Sequence, residues 1–69
     1  MHWWTIYDYS AARWSFPRQW TEHQAQGELY AATMRTPAGV PSPVLARWNQ
    51  SGGHWEYRPH LSSAYVALR

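Results

Sequence analysis

Cysteine and lysine are both absent from this chain of 69 residues. Without cysteine the protein cannot form a disulfide or a thiolate metal cluster, so such a small domain depends on aromatic packing, a partner chain or a histidine site for its stability. Small domains without cysteine are ordinary in reducing compartments. The N-terminus, Met1 to Trp4, also lacks the basic start and the long apolar run of a signal peptide. We therefore expect a cytoplasmic protein.

Long hydrophobic runs are missing as well. Charged residues or prolines interrupt every apolar cluster before it approaches the roughly 20 residues that cross a bilayer, so we expect no membrane partner. Six arginines against four acidic residues give a formal charge of +2, and the arginines are spread along the chain. This balance permits nucleic acid binding without requiring it. All six basic residues are arginine. This indicates either stacking and bidentate contacts, which lysine cannot make, or a GC-biased genome.

Aromatic residues are what the chain has in abundance: six tryptophans, five tyrosines and one phenylalanine. The tryptophans are Trp3, Trp4, Trp14, Trp20, Trp48 and Trp55. Aromatic side chains supply a large contact area at low entropic cost, in a core or on a binding face. A single thin layer cannot bury every tryptophan, so we expect about two or three of them to reach the surface. This surplus indicates a compact binding module.

The first strand is predicted over His2 to Tyr9, where aromatic and β-branched residues dominate and neither glycine nor proline occurs. Alternation places Trp4 and Ile6 on one face. The other face carries Trp3, Thr5, Tyr7 and Tyr9. Because both faces are apolar or aromatic, the strand is either covered on two sides or presents an aromatic surface. The next segment, Ser10 to Trp20, is interpreted as a connection that lays its aromatic residues over the core.

A helix is predicted over Thr21 to Arg35. Thr21 is a suitable N-cap and Gln24 follows at the capping-box spacing. Its apolar stripe consists of Ala25, Leu29 and Ala32, bordered by Tyr30 and Met34. In an alternative, the helix ends at Gly27 and residues 28–35 form a strand, because glycine weakens a helix interior. We prefer the unbroken helix.

The rest of the chain is predicted to form a loop and a hairpin. Thr36 to Pro43 holds three prolines and one glycine, which is typical of a surface loop. Val44 to Asn49 and His54 to His60 then flank Gln50 to Gly53, whose two glycines suit a tight reversal. The last segment, Leu61 to Arg69, fits either a further strand or a short helix, and the strand is preferred. The predicted fold class is therefore α+β: a small single-layer antiparallel sheet in the order strand, helix, strand, strand, with the helix packed on it.

No motif predicts catalysis, a cofactor or a metal site. The serines lie outside any nucleophile-elbow context, and the four acidic residues are scattered along the chain. Asp8, which lies within the aromatic strand, is expected to pair with a nearby arginine. We predict that the protein is not an enzyme and binds no cofactor.

The second hairpin arm alternates between a polar and an aromatic face. The polar face consists of His54, Glu56, Arg58 and His60, and the other face carries Trp55 and Tyr57. The polar row is interpreted either as a ligand- or phosphate-binding stripe or as a solvent-facing surface with one weak ion pair. His54 and His60 are separated by roughly 20 Å on an extended strand, so they cannot share a metal ion unless the strand bends.

Arginines adjoin tryptophans at several points of the sequence. We select as candidate partner-binding residues Trp3, Arg13, Trp14, Arg18, Trp20, Arg47, Trp48 and Arg58. Such residues are enriched at protein interfaces, and they also stack bases and track phosphates in single-strand binding surfaces. In a third interpretation, each arginine caps a core tryptophan by a cation–π contact.

The favoured function is a non-catalytic, cytoplasmic protein–protein interaction module, an inhibitor or adaptor of the phage or mobile-element type, which binds a larger protein. The modest charge favours this function over the alternative, a single-stranded nucleic acid or RNA-binding domain. Carbohydrate recognition on a tryptophan platform is disfavoured by the missing secretion signal. A homodimer is a further partner hypothesis, since a short chain gains stability by burying surplus aromatic residues against a copy of itself.

Overall fold

The computed structural model describes residues 1–36 and 41–58. It has a helix packed on one face of an antiparallel sheet, which confirms the predicted α+β class. The elements are β1 (His2–Asp8), β2 (Arg13–Trp14), β3 (Arg18–Trp20), α1 (Glu22–Arg35), β4 (Val44–Asn49) and β5 (His54–Tyr57). Half of the predicted loop, residues 37–40, and the predicted last element, residues 61–69, lie outside the described residues. Within the described ranges, no helix is both long enough and apolar enough for a membrane span.

The strand β1 occupies the middle of the sheet. It pairs with β4 on one side and with both β2 and β3 on the other, and β5 pairs with the far side of β4. All four pairings are antiparallel. The aromatic and β-branched residues that predicted a strand over 2–9 therefore form the strand with the most neighbours.

The segment from Ser10 to Trp20 is more regular than predicted. Its interpretation as a plain connection is wrong, because β2 and β3 lie within it and together line one edge of β1. Trp14 pairs with Tyr7 and Arg18 pairs with Trp4, so three residues on the edge, 15–17, face only two on β1, 5 and 6. One extra residue on one strand is a β-bulge.

The bulge decides which way two tryptophans face. Trp14 and Trp20 are separated by an even number of positions, so an uninterrupted strand would point both to the same face. The extra residue reverses the alternation: Trp14 pairs with Tyr7, whereas Trp20 pairs with His2 and packs against the core. The faces to which Trp14 and Trp20 point therefore do not follow the two-residue period of a single strand.

Ser15 closes the bulge with a set of hydrogen bonds to β1. Its N–H donates to the Ile6 carbonyl at 2.8 Å, and its Oγ accepts from the Ile6 N–H at 3.0 Å. The Thr5 hydroxyl donates to the Ser15 carbonyl at 2.8 Å. The serine side chain thus replaces the backbone acceptor that the register change removes, and keeps a buried backbone donor satisfied.

The helix begins as the sequence predicts. The Thr21 Oγ1 accepts from the Gln24 N–H at 3.2 Å, and the Gln24 side chain accepts from the Thr21 N–H at 2.9 Å, which completes the capping box. α1 then continues without a break to Arg35, so the alternative of a strand over 28–35 is wrong. The predicted stripe of Ala25, Leu29 and Ala32 is buried.

We expect Thr21→Ala to lower the free energy of unfolding by about 1 kcal/mol, because the Gln24 N–H in the first turn of the helix loses the Thr21 Oγ1 as its acceptor. Urea denaturation followed by circular dichroism measures the change. Thr21→Ser is the matched control, since it retains the capping oxygen and should cost only a few tenths of that amount. Equal losses in the two variants would contradict the role of the capping oxygen.

The core lies between α1 and one face of the sheet. The sheet contributes Trp4, Ile6 and Leu45, all fully or nearly fully buried against the helical stripe. The Trp4 indole N–H donates to the Trp20 carbonyl at 3.2 Å, so this buried polar group has a partner. The predicted core face of the first strand is confirmed.

The predicted hairpin is also confirmed. β4 and β5 pair from Ala46 with Tyr57 to Asn49 with His54, and Gly53 adopts a positive φ of 64° in the turn. The second arm ends as a strand at Tyr57, although the Arg58 N–H still donates to the Leu45 carbonyl at 2.9 Å. Its predicted last residue, His60, lies outside the described residues.

Candidate binding surface

The face of the sheet opposite α1 is predominantly aromatic, and we call it the aromatic face. Alternation and strand register place on it Trp3, Tyr7, Trp14, Trp48, Trp55 and Tyr57. Among the described elements, α1 packs on the other face, around Trp4 and Leu45. The sheet therefore has a helix on one side and a layer of aromatic rings on the other.

The rings of the aromatic face contact one another across the strands. Trp48 and Trp55 meet edge to face with ring centroids 5.2 Å apart, and Tyr7 and Trp14 do the same at 5.2 Å. Trp14 is also 6.2 Å from Tyr57, a residue at the far edge of the sheet. Aromatic pairs in these geometries are favourable beyond their buried area, so the rings hold one another in place.

A groove of about 410 Å³ runs over the middle of this face, and we call it the aromatic groove. Its floor consists of Thr5 and Ala46, two small residues that are buried although no described helix lies above them. Trp14, Trp55 and Tyr57 form its walls. Ser15 and Pro17 are the other described residues of the lining, and none of the described lining residues is charged. Small residues flanked by large rings thus create the concavity.

A second hollow of about 270 Å³ adjoins the aromatic groove. It is lined by Trp3, Pro17, Trp48, Gln50 and Trp55. Two of these residues, Pro17 and Trp55, also line the groove, so they form a ridge between the two concavities. The described residues that line the second hollow are likewise uncharged.

Trp3 and Trp14 are the most exposed described tryptophans, with 40% and 43% of their surface accessible, whereas Trp4 is completely buried. This agrees with the expectation that two or three tryptophans reach the surface. Tyr57 is 65% exposed. Within the described residues, the only tryptophan whose indole N–H has a protein acceptor is Trp4. The other indoles thus leave donors available to a ligand.

The candidate arginines lie apart from this aromatic layer. Adjacent residues on a strand point to opposite faces, so Arg13 and Arg47 face away from their neighbours Trp14 and Trp48. Arg47 lies 3.5 Å from Glu56, on the polar row of β5. Arg58 lies 3.7 Å from Glu22 of α1, and its buried Nε has no partner within the described part of the chain.

Four candidate residues meet instead between α1 and the edge of the sheet. Arg13, Trp14, Arg18 and Trp20 all line a cavity of about 410 Å³. Its other charged residues are Asp8, Glu28 and Arg35. Asp8 lies 3.4 Å from Arg35, which confirms its predicted pairing with an arginine. Trp3, Arg47 and Trp48 line a third cavity, of about 480 Å³, beside the hairpin turn.

The polar row of β5 is organised around Glu56. Its carboxylate accepts from Asn49 Nδ2 at 3.0 Å and lies 3.5 Å from Arg47 and 3.8 Å from His54. The hydrogen bond from Asn49, helped by Arg47 and His54, lowers the pKa of Glu56 below its ordinary value of 4.5 despite partial desolvation. Within the described ranges, no group of three or more metal-ligating side chains comes together.

This pKa shift predicts a small acid-dependent loss of stability. Because the folded pKa lies below the unfolded one, the contribution of Glu56 is present above pH 4.5 and disappears as the pH falls through the folded value. Glu56→Gln should remove that part of the dependence. Denaturation midpoints of both proteins from about pH 7 to about pH 3 measure it, with an NMR titration of the carboxyl group as the direct check. A pKa at or above 4.5 would contradict the shift.

Some members of the aromatic face were not selected as candidate residues from the sequence. Trp55 and Tyr57 were recognised as sharing one strand face, but they were not connected with Tyr7 and Trp14. The small residues Thr5 and Ala46 gave no functional signal, because their importance depends on the rings around them. The pairing register is what joins these residues into one surface.

Comparison of this chain with protein-family models, with curated protein sequences and with solved structures finds no match.

Proposed function

We propose that this protein is a non-catalytic, cytoplasmic interaction module, an inhibitor or adaptor, that binds a larger protein through its aromatic face. The observation that carries the proposal is the aromatic groove, a concavity walled by Trp14, Trp55 and Tyr57 whose described lining residues are all uncharged. Tryptophan and tyrosine are enriched at the centres of protein interfaces, where they fill or form desolvated pockets. An aromatic groove of this size suits a few side chains of a partner.

The charge distribution favours a protein partner over nucleic acid. Surfaces that bind single strands combine stacking rings with positive charge along the same groove. Here no residue that the structure describes in the lining of the aromatic groove or of the second hollow is charged. Arg47 and Arg58 are instead paired with acidic residues of this chain. Arg13 and Arg18 do share a cavity with Trp14 and Trp20, but Asp8 and Glu28 line the same cavity and offset part of their charge. The rings of the aromatic groove therefore lack the described cations that would follow a phosphate backbone along it.

The test is a pull-down with immobilised protein, performed with and without nuclease, followed by affinity measurement on the partner that is recovered. We expect a stoichiometric protein to survive nuclease treatment. The double variant Trp14→Ala/Tyr57→Ala should weaken its binding by about 30-fold or more, since two exposed rings of the groove are removed. The unfolding transition should stay cooperative, because neither residue belongs to the buried core.

Phe16→Ala is the matched control. Phe16 is 88% exposed at the same edge of the sheet but does not line the aromatic groove. It should therefore bind the partner as the wild type does. A partner lost on nuclease treatment, with affinity falling steeply as salt rises, would indicate nucleic acid binding instead. A protein partner held equally by the double variant would place the interface elsewhere on the molecule.

A further inference from the structure

Building on the proposed function, we infer that the aromatic face recognises a proline-rich segment of its partner, bound in the polyproline II conformation. Proline-rich peptides bind grooves that aromatic side chains line, and their preformed conformation lowers the entropic cost of binding. The aromatic face combines three properties that such a ligand requires: shape, hydrogen-bond donors and absence of charge.

The face has two adjoining concavities, which suits the regular projections of a polyproline II helix. Such a helix rises about 3.1 Å per residue with three residues per turn, so successive projections along one edge are about 9 Å apart. The aromatic groove and the second hollow lie side by side, divided by Trp55 and Pro17. Two successive projections of the ligand can therefore occupy neighbouring concavities.

The walls of the groove also have a suitable spacing. Alternate residues of a strand, such as Trp55 and Tyr57, lie about 7 Å apart. Carbon atoms in contact are separated by about 3.5–4.0 Å, so a pyrrolidine ring inserted between these two side chains contacts both of them. The small floor residues Thr5 and Ala46 leave the depth that this ring needs.

The hydrogen-bonding groups of the face are complementary to proline. Trp14 and Trp55 present indole donors that have no acceptor within the described residues. A polyproline II segment has no internal hydrogen bonds, so its carbonyls are unpaired, and proline itself has no N–H to satisfy. The unpaired indole N–H groups of the protein can therefore donate to the unpaired carbonyl groups of the ligand.

The same chemistry disfavours the other occupants of the face. Among the residues described at either concavity, phosphates would find no cation and sugar hydroxyls would find no carboxylate. In a symmetric dimer, each copy presents the same surface to the other. The only described acceptors that line the two concavities are the hydroxyl groups of Thr5, Ser15 and Tyr57, the Gln50 amide and backbone carbonyls, so a second copy offers fewer unpaired acceptors than a polyproline II segment does.

The test uses protein labelled with ¹⁵N at the tryptophan indoles, titrated with a decaproline peptide up to millimolar concentration. We expect the Trp14 and Trp55 indole signals to shift and the Trp4 signal to stay in place. Tyr57→Ala should weaken the binding by about tenfold or more. Phe16→Ala should bind as the wild type does, and an unchanged Trp4 signal reports that each variant is folded.

A glycine-serine peptide of the same length, an oligouridine and a chitin oligosaccharide serve as competing probes. Decaproline must bind more tightly than all three, and an equal or stronger response to any of them overturns the inference. No response to decaproline also overturns it. If the pull-down partner nevertheless depends on Trp14 and Tyr57, the proposed function stands and only the ligand class is wrong. Sedimentation of the unbound protein as a dimer through this face would overturn the inference in favour of a second copy.

Discussion

Replacing Trp4 by alanine is expected to remove about half of the free energy of unfolding, or more. Trp4 is completely buried against the helical stripe, and its indole N–H donates to the Trp20 carbonyl at 3.2 Å. Truncation of a buried tryptophan costs about 3–5 kcal/mol. A domain of this length has a total stability of about 3–10 kcal/mol, so the loss is a large fraction of it. Urea denaturation followed by far-ultraviolet circular dichroism measures the effect.

Trp3→Ala is the matched control, because Trp3 is the next residue of the same strand and points to the opposite face. It is 40% exposed, so its truncation should cost about 1 kcal/mol or less. The contrast between two adjacent tryptophans tests the assignment of the two sheet faces. Similar losses for both variants would contradict that assignment.

The second largest loss is expected for Ser15→Ala, at about 1–3 kcal/mol. The substitution leaves the buried Ile6 N–H without the Ser15 Oγ that accepts from it at 3.0 Å. A buried donor without an acceptor loses its hydration and gains nothing in return. Denaturation measures the total cost, and amide hydrogen exchange at Ile6 should show the local loss of protection.

Ser10→Ala provides the control for removal of a serine hydroxyl. The Ser10 hydroxyl donates to the Arg35 carbonyl at 2.7 Å, but this hydrogen bond is exposed and water replaces it. The expected change is within about 0.5 kcal/mol. If Ser15→Ala were no more destabilising than Ser10→Ala, the bulge would not depend on the serine side chain.

The helix and the hairpin were predictable because their signals are local. The capping box at Thr21 and Gln24 lies within one turn, and the hairpin is defined by two glycines between alternating arms. Each signal acts over a few residues and is independent of the rest of the fold. Gly27 weakened the helix prediction, but burial of Leu29 and Ala32 outweighs the cost of a glycine in the helix interior.

The edge of the sheet was not predictable in the same way. Trp14 and Trp20 follow no single period, because a bulge lies between them and reverses the alternation. The choice between a loop and a bulged strand depends on pairing with β1, which is distant in sequence. Non-local hydrogen bonds from Ser15 decide it.

The candidate site was predicted in part. Tryptophans were rightly expected at the surface, since Trp3 and Trp14 are exposed on one face. Arginines next to tryptophans in the sequence predict one shared binding surface. In the structure, residues that are adjacent along a strand point to opposite faces of the sheet. A strand sends Arg47 and Trp48 to opposite faces, so Trp48 belongs to the aromatic face and Arg47 pairs with Glu56 on the other face, although both reach the cavity beside the hairpin turn. Only the register brings Trp14 and Tyr57 together across the sheet.

The helix α1 covers one face of the sheet, and the aromatic face is open to solvent. The most direct test of this arrangement is to measure the solvent accessibility of the indole N–H groups in solution. A soluble paramagnetic agent added to ¹⁵N-labelled protein broadens the signals of exposed groups and spares buried ones. We predict broadening for Trp3, Trp14 and Trp55 and none for Trp4. Protection of Trp14 and Trp55 to the same degree as Trp4 would contradict the account, because the aromatic face would then be covered within the folded chain and closed to a partner.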